Sequence, residues 1–193
     1  MRHGVDPAAF LRAASLPFAS AAYLPPVSSR DMSALLDLCT AARIGTVFLC
    51  SAQSGAELQH LDILLQVSEA RAAMTVGVTR IVAMAGDNPH GLLAAASFSG
   101  KSQRLVGLGW DAAALAAAMG KAGRIGSDVA THARATLLLA AAAAGVTAID
   151  TSETEEDAED FRTSCLHAHA QGFGGKMTRK PSQVPIIRSV FPA

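Results

Sequence analysis

The stretch from Ala133 to Phe191 limits the fold more than any other part of the chain. It reads as an alanine- and leucine-rich helix, a stop at Gly145, a short apolar strand ending in Asp150, a helix, a second strand and a helix led by Pro181. Strands that are apolar on both faces and separated by helices are parallel strands with helical crossovers, because only helices on the sheet can cover them. The same alternation runs upstream. Phe18–Leu24 is an apolar run stopped by Pro25-Pro26. Thr46-Val47-Phe48-Leu49 is β-branched and aromatic, as strands prefer. Arg80–Ala85, Arg104–Leu108, Val146–Ile149 and Gly175–Thr178 complete six strand positions.

The helices between them follow from spacing and punctuation. Asp6-Pro7 starts a helix over Pro7–Ala14, with proline in the first turn. Ser28 or Ser29 caps a helix carrying Met32, Leu35, Leu36 and Leu38 at helical spacing. Gly55–Ala73 places Leu58, Leu61, Leu64 and Leu65 on one face. A Pro89 turn leads a short helix to Ala96, and Asp111–Met119 is a helix closed by Gly120. Gly123–Gly126 is a flexible connection, Ser127 caps a long helix to Ala144, and Glu153–Ala170 opens on acids that suit the helix dipole. Pro181–Val190 is the last helix.

A chain of 193 residues that is half hydrophobic forms one domain, 1–193, with a real core. With 16 basic and 16 acidic side chains, it offers no electrostatic case for nucleic acid or an anionic membrane. The longest alanine-leucine run, Leu137–Ala144, falls far short of the about 20 residues that cross a bilayer. Arg2 and His3 are followed by no apolar core of a signal peptide. Cys39, Cys50 and Cys165 form no CxxC, which predicts reduced thiols in a cytoplasmic protein.

Four segments carry a specific resemblance. They are Ile81-Val-Ala-Met-Ala-Gly-Asp-Asn-Pro-His-Gly-Leu-Leu93, Arg104-Leu-Val-Gly-Leu-Gly-Trp-Asp-Ala-Ala-Ala-Leu115, Ala52–Asp62, and the ending Gly-Lys-Met followed by Pro-Ser-Gln-Val-Pro. In this order and spacing, over about residues 7–193, the chain resembles the HpcH/HpaI aldolase and citrate lyase β-subunit family. The resemblance implies a (β/α)8 barrel that cleaves or forms a carbon–carbon bond, usually beside a coenzyme A thioester or in a small organic acid. It implies Mg²⁺ held by two carboxylates at the C-terminal strand ends, an arginine beside them, and a homo-oligomer.

Position by position, the resemblance places the family's metal-binding glutamate on Asp87 and its aspartate on Ala114, with Ala113 just before it. The family arginine falls on Ala22 and the asparagine after it on Leu24. A Pro-Lys pair falls on Cys50-Ser51, and a histidine near the end on Lys180, before Pro181. The family's first two strands would lie upstream of residue 1. The expected fold is therefore an incomplete TIM-barrel-like α/β array of about six of eight units. The expected function is a citrate lyase β-like protein with impaired or lost catalysis, a pseudoenzyme with doubtful Mg²⁺ binding. Two alternatives stand beside it: an active Mg²⁺-dependent lyase in which Asp87, Asp111 and Asp150 converge, and a non-catalytic subunit whose open sheet edges pair with a partner chain.

Each of these residues also has a plainer reading. Asp87 in Gly-Asp-Asn-Pro suits a solvated turn, and Asp111 before a helix suits a cap. Asp150 ends a strand, as a site acid or a loop-ordering acceptor, and Asp157 sits at a helix terminus. His167 and His169 point apart on a helix, and His60 and His90 lack partners at ligand spacing. Trp110 suits packing. Gly107-Leu108-Gly109 lacks the third glycine and the acid of a dinucleotide site. Lys176, Arg179 and Lys180 form a small basic cluster, facing a phosphate or solvent at a strand end.

Overall fold

The structure, a computed structural model, describes residues 21–120, 126–151 and 157–191. The expected Pro7–Ala14 helix, the start of the Phe18–Leu24 strand, most of the 123–126 connection and the turn at Glu153 lie outside the described residues. Six strands form one parallel sheet in sequence order: β1 (Ala21–Leu24), β2 (Thr46–Leu49), β3 (Arg80–Gly86), β4 (Leu105–Trp110), β5 (Thr147–Thr151) and β6 (Gly175–Met177). The helices are α1 (Met32–Ala41), α2 (Gly55–Arg71), α3 (Pro89–Leu93), α4 (Ala112–Ala118), α5 (Ser127–Ala144), α6 (Ala158–Gln171) and α7 (Val184–Val190). Short 3-10 turns at Ala95–Phe98 and Pro181–Gln183 replace the expected continuous helices there.

The sheet curls until its two ends touch. The Tyr23 hydroxyl on β1 lies 3.6 Å from the Met177 sulfur on β6. Tyr23 also stacks on Phe48, with ring centroids 4.9 Å apart. These side chains mark the concave face. The convex face carries Ala22, Leu24, Val47, Leu49, Ala83 and Leu108 into one core with helix residues such as Leu36, Leu58, Leu61 and Leu137. Each fully buried leucine contributes about 1.5–3 kcal/mol, so these four outweigh the alanines around them.

Caps explain where the helices begin. Asp111 accepts the Ala114 N–H at 2.9 Å, and Asp157 accepts those of Glu159 and Asp160. Both were expected at helix starts. The expected serine caps are not formed. Helix α1 begins at Met32, and Ser29 instead accepts the Asp31 N–H at 3.4 Å within the preceding turn. Gly126, not Ser127, holds the cap position of α5, where no side chain bonds the backbone. At the other end of α5, Gly145 has φ +67°, the left-handed stop that glycine adopts without a Cβ clash.

At the N-terminal end of β4, Arg104 closes the sheet's base. Its Nη1 and Nη2 donate to the two Glu69 carboxylate oxygens at 2.9 and 2.7 Å, and its Nε donates to Asp62 at 2.6 Å. Glu69 also accepts the Gly77 and Thr79 N–H groups at 2.7 and 2.9 Å. Glu69 is fully buried, and each of its two carboxylate oxygens accepts two N–H donors, the condition under which a buried charge is tolerated.

Candidate functional site

The loops after β2, β3 and β4 converge at the C-terminal end of the sheet, where barrels of this kind carry their chemistry. Asp87 follows β3 directly and is buried, with 8% of its surface exposed. The turn acid is thus not solvated. Its Oδ2 accepts the Ser51 N–H at 2.7 Å and its Oδ1 accepts the Asn88 amide at 2.9 Å. Asn88 in turn accepts the Gly91 N–H at 2.8 Å, which caps α3 and fixes the loop. Burial pushes the Asp87 carboxyl above the usual carboxylate range. The Asn88 and Ser51 hydrogen bonds oppose that shift, and the negative charge of Asp111 adds to it.

Asp111 reaches the same mouth from β4. Its N–H donates to the Gly86 carbonyl at 3.4 Å, which ties the loop after β4 to the end of β3. The two chains approach closely there. A Cβ added to Gly86 would lie 2.4 Å from the Trp110 Cβ, so only glycine fits. Cys50, half-buried beside these acids, has its thiol pushed up to about 11, by burial first and then by Asp87 and Asp111. A thiol so high is protonated at neutral pH and a poor nucleophile.

The positions expected from the resemblance divide clearly. Ala113 and Ala114 lie in the first turn of α4 and bring no side-chain oxygen to the mouth. Ala22 is buried in the convex core, and its neighbours Ala21 and Tyr23 occupy the concave face instead. The place assigned to the family arginine therefore looks towards the helices. Leu24 shares that core. Lys180 only donates its N–H to Thr178 Oγ1 at 3.0 Å, and the Thr178 hydroxyl bonds the Gln183 side chain. Among the described residues, no three His, Cys, Asp or Glu side chains are grouped to hold a metal ion.

Asp150 does not join Asp87 and Asp111. It is buried on the convex side, where its Oδ1 accepts the Trp110 indole N–H at 2.6 Å and an Arg134 Nη1 proton at 2.7 Å. Its Oδ2 lies 3.2 Å from the Lys176 ammonium. Lys176 is buried rather than solvated, and donates to Ser164 at 2.6 Å. It therefore forms no basic cluster with the exposed Arg179. His167 contacts Gln171, while His169 packs edge-on against Phe191, so the two histidines share no site. Sequence reasoning missed Arg134. Its signal was faint: an arginine beside the buried α5 stripe of Ala133, Leu137, Ala140 and Ala141.

No family model matches the chain. Curated relatives and solved structures do. The chain is 30% identical over 138 residues to a citrate lyase subunit β-like protein of Mycobacterium tuberculosis, covering 68% of this chain and 50% of that protein. It is 27% identical over 167 residues to the citrate lyase β subunit of Leuconostoc mesenteroides, covering 86% and 54%. The solved structure of a citrate lyase β subunit from M. tuberculosis complexed with oxaloacetate and magnesium matches with a TM-score of 0.70 and 25% identity, over 90% of this chain and 73% of that one. The chain belongs to the citrate lyase β-subunit family. A second M. tuberculosis structure, of CitE with magnesium, acetoacetate and coenzyme A, shares the fold at a TM-score of 0.76 and 24% identity, over 97% and 66%. The six-stranded curl is thus part of a citrate lyase β-like barrel. The chain spans about half the length of the curated family members it matches.

Proposed function

We propose that this citrate lyase β-like chain descends from carbon–carbon lyases acting on coenzyme A thioesters or small oxo acids, and that its own catalysis is impaired or lost. Its relatives' structures hold magnesium, and two of the ligands seen with them, oxaloacetate and acetoacetate, are small oxo acids. The donor set here fits such an ion poorly. Among the described residues, only Asp87 and Asp111 offer carboxylates at the mouth, and three of their four oxygens already accept an N–H from the chain. Mg²⁺ demands near-octahedral oxygen ligands and sheds water reluctantly, so two carboxylates whose oxygens are already engaged in holding loops and a helix start are poorly placed to grip it. The observation that carries the reading is that Ala114, to which the resemblance assigns the second ligand, lies on a helix turn whose side chains supply no oxygen.

One observation favours a second reading, an active lyase with a rearranged site. Asp87 and Asp111 directly follow the paired strands β3 and β4, and the Asp111 charge helps to raise the Asp87 pKa. The discriminating experiment is a Mg²⁺ titration of the purified chain followed by thermal shift, with and without a coenzyme A thioester, alongside a cleavage assay on citryl-, malyl- and citramalyl-type thioesters. No saturable rise in melting temperature and no Mg²⁺-dependent cleavage is expected, since a ligand stabilises only what it binds in the folded state. Turnover that disappears in Asp87→Ala would establish the rearranged site instead.

A further inference from the structure

The cluster around Asp150 has more positive charge than it uses. Two cations, Arg134 and Lys176, face a single acid, Asp150, so the described residues there carry an excess of one positive charge. Lys176 is 8% exposed, and its buried ammonium shares the single Asp150 carboxylate with Arg134. Beside it opens a cavity of about 120 Å³, lined by Trp110, Arg134, Asp150, Ser164, His167 and Lys176 among others. That is room for several waters or one small oxyanion.

The hydrogen-bond inventory says what the cavity would recognise. Both Asp150 oxygens are covered by donors, from Trp110 and Arg134 on one and Lys176 on the other. The Ser164 oxygen accepts from Lys176, which leaves the hydroxyl proton free to donate. An ammonium has three protons, and Lys176 gives one to Ser164 while it pairs with Asp150 at 3.2 Å and stands 5.6 Å from the Phe161 ring centre, so it keeps a proton for a further acceptor. Gln171 accepts Arg134 Nε and Nη2 through Oε1 at 3.0 and 2.6 Å. Its amide nitrogen must then face His167 Nε2, 3.0 Å away, and make that ring nitrogen the acceptor. The remaining His167 proton is on Nδ1. The unassigned groups in this cavity are therefore nearly all donors, around a net positive charge.

We propose that this cavity, between β5, β6, α5 and α6, binds a small oxyanion, with phosphate or a phosphate ester as its chemical class. Lys176 supplies the buried charge, Arg134 a second charge, and Ser164 a neutral donor. Trp110 and Ala112, on either side of Asp111, line this cavity but Asp87 and Asp111 do not, so oxyanion binding here can be read out whether or not a lyase reaction survives at the mouth.

The test is isothermal titration of the purified full chain with inorganic phosphate at constant ionic strength, with thermal shift in parallel. Excluded salts such as phosphate stabilise folded proteins generally, but that effect grows without saturating and is blind to the pocket. Saturable binding of about one phosphate per chain is expected. Ser164→Ala removes a donor without removing charge and should weaken it several-fold. Arg134→Gln should weaken it tenfold or more. Glycerol 2-phosphate binding in competition with phosphate would mark a phosphate ester as ligand, and binding of phosphate alone would mark the free ion. No saturable heat with the wild-type chain, as when its own carboxylates fill the pocket, overturns the proposal. So does binding that both variants leave unchanged.

Discussion

At the base of β4, Arg104 carries its guanidinium where water does not reach, and Glu69 and Asp62 meet it there. Burial would raise the Glu69 pKa, but the bonds from Arg104, Gly77 and Thr79 hold its carboxyl down at about 2, against an ordinary 4.5. A depressed acid stabilises the fold fully above its unfolded pKa, and that contribution fades as pH falls from about 4.5 to about 2. Urea midpoints of the wild type and Glu69→Gln should therefore differ most at pH 7 and draw together near pH 2–3. Arg104→Met leaves two acids without their cation, and should cost about 3–5 kcal/mol by urea unfolding. Neither role was legible in the sequence. Glu69 and Arg104 stand 35 positions apart, and their pairing exists only once the sheet has stacked β3 against β4. Asp111 and Asp157 were legible, because a cap is a local event written within three residues.

The elements at the mouth are set by one close approach. Gly86 lets β3 pass against Trp110 on β4, and that contact fixes how Asp87 stands relative to Asp111. Gly86→Ala should force the strands apart, at a cost of about 1–3 kcal/mol, and lower the melting temperature measurably. Asn88→Ala removes the α3 cap and one of the Asp87 partners together, and a loss of about 1–2 kcal/mol is expected in the same assay. The strands themselves were readable to within two residues at most of their ends, since β-branched and apolar runs between glycines say where the sheet lies. Which side of β1 faced the helices was not readable. Both Ala22 and Tyr23 are compatible with a buried strand, and only pairing with β2 places Ala22 in the convex core.

Across the whole molecule, the sheet order runs β1 to β6 without a described strand beyond either end. Outer strands with unmet N–H and C=O groups seek partners. Light scattering over a range of concentrations should therefore give a mass above that of one chain, rising with concentration. A constant single-chain mass would count against exposed edges. The order of six βα units came through from sequence because each crossover repeats the same pattern. The convex polar cluster did not, since Asp150, Lys176 and Arg134 belong to three separate elements, and nothing local to Lys176 or Arg134 showed that either would turn towards Asp150.

The chain holds one tryptophan and one tyrosine. Trp110 sits with its indole N–H on Asp150 and the Arg134 guanidinium over its ring, while Tyr23 bridges the two ends of the sheet. Nature has thus installed two intrinsic chromophores at two different places. Excited at the red edge, the indole emits from beside the charged cavity, and the phenol absorbs from the seam where the curl meets itself. Occupancy of the one and opening of the other can be followed optically in the unmodified polypeptide, with no label to introduce.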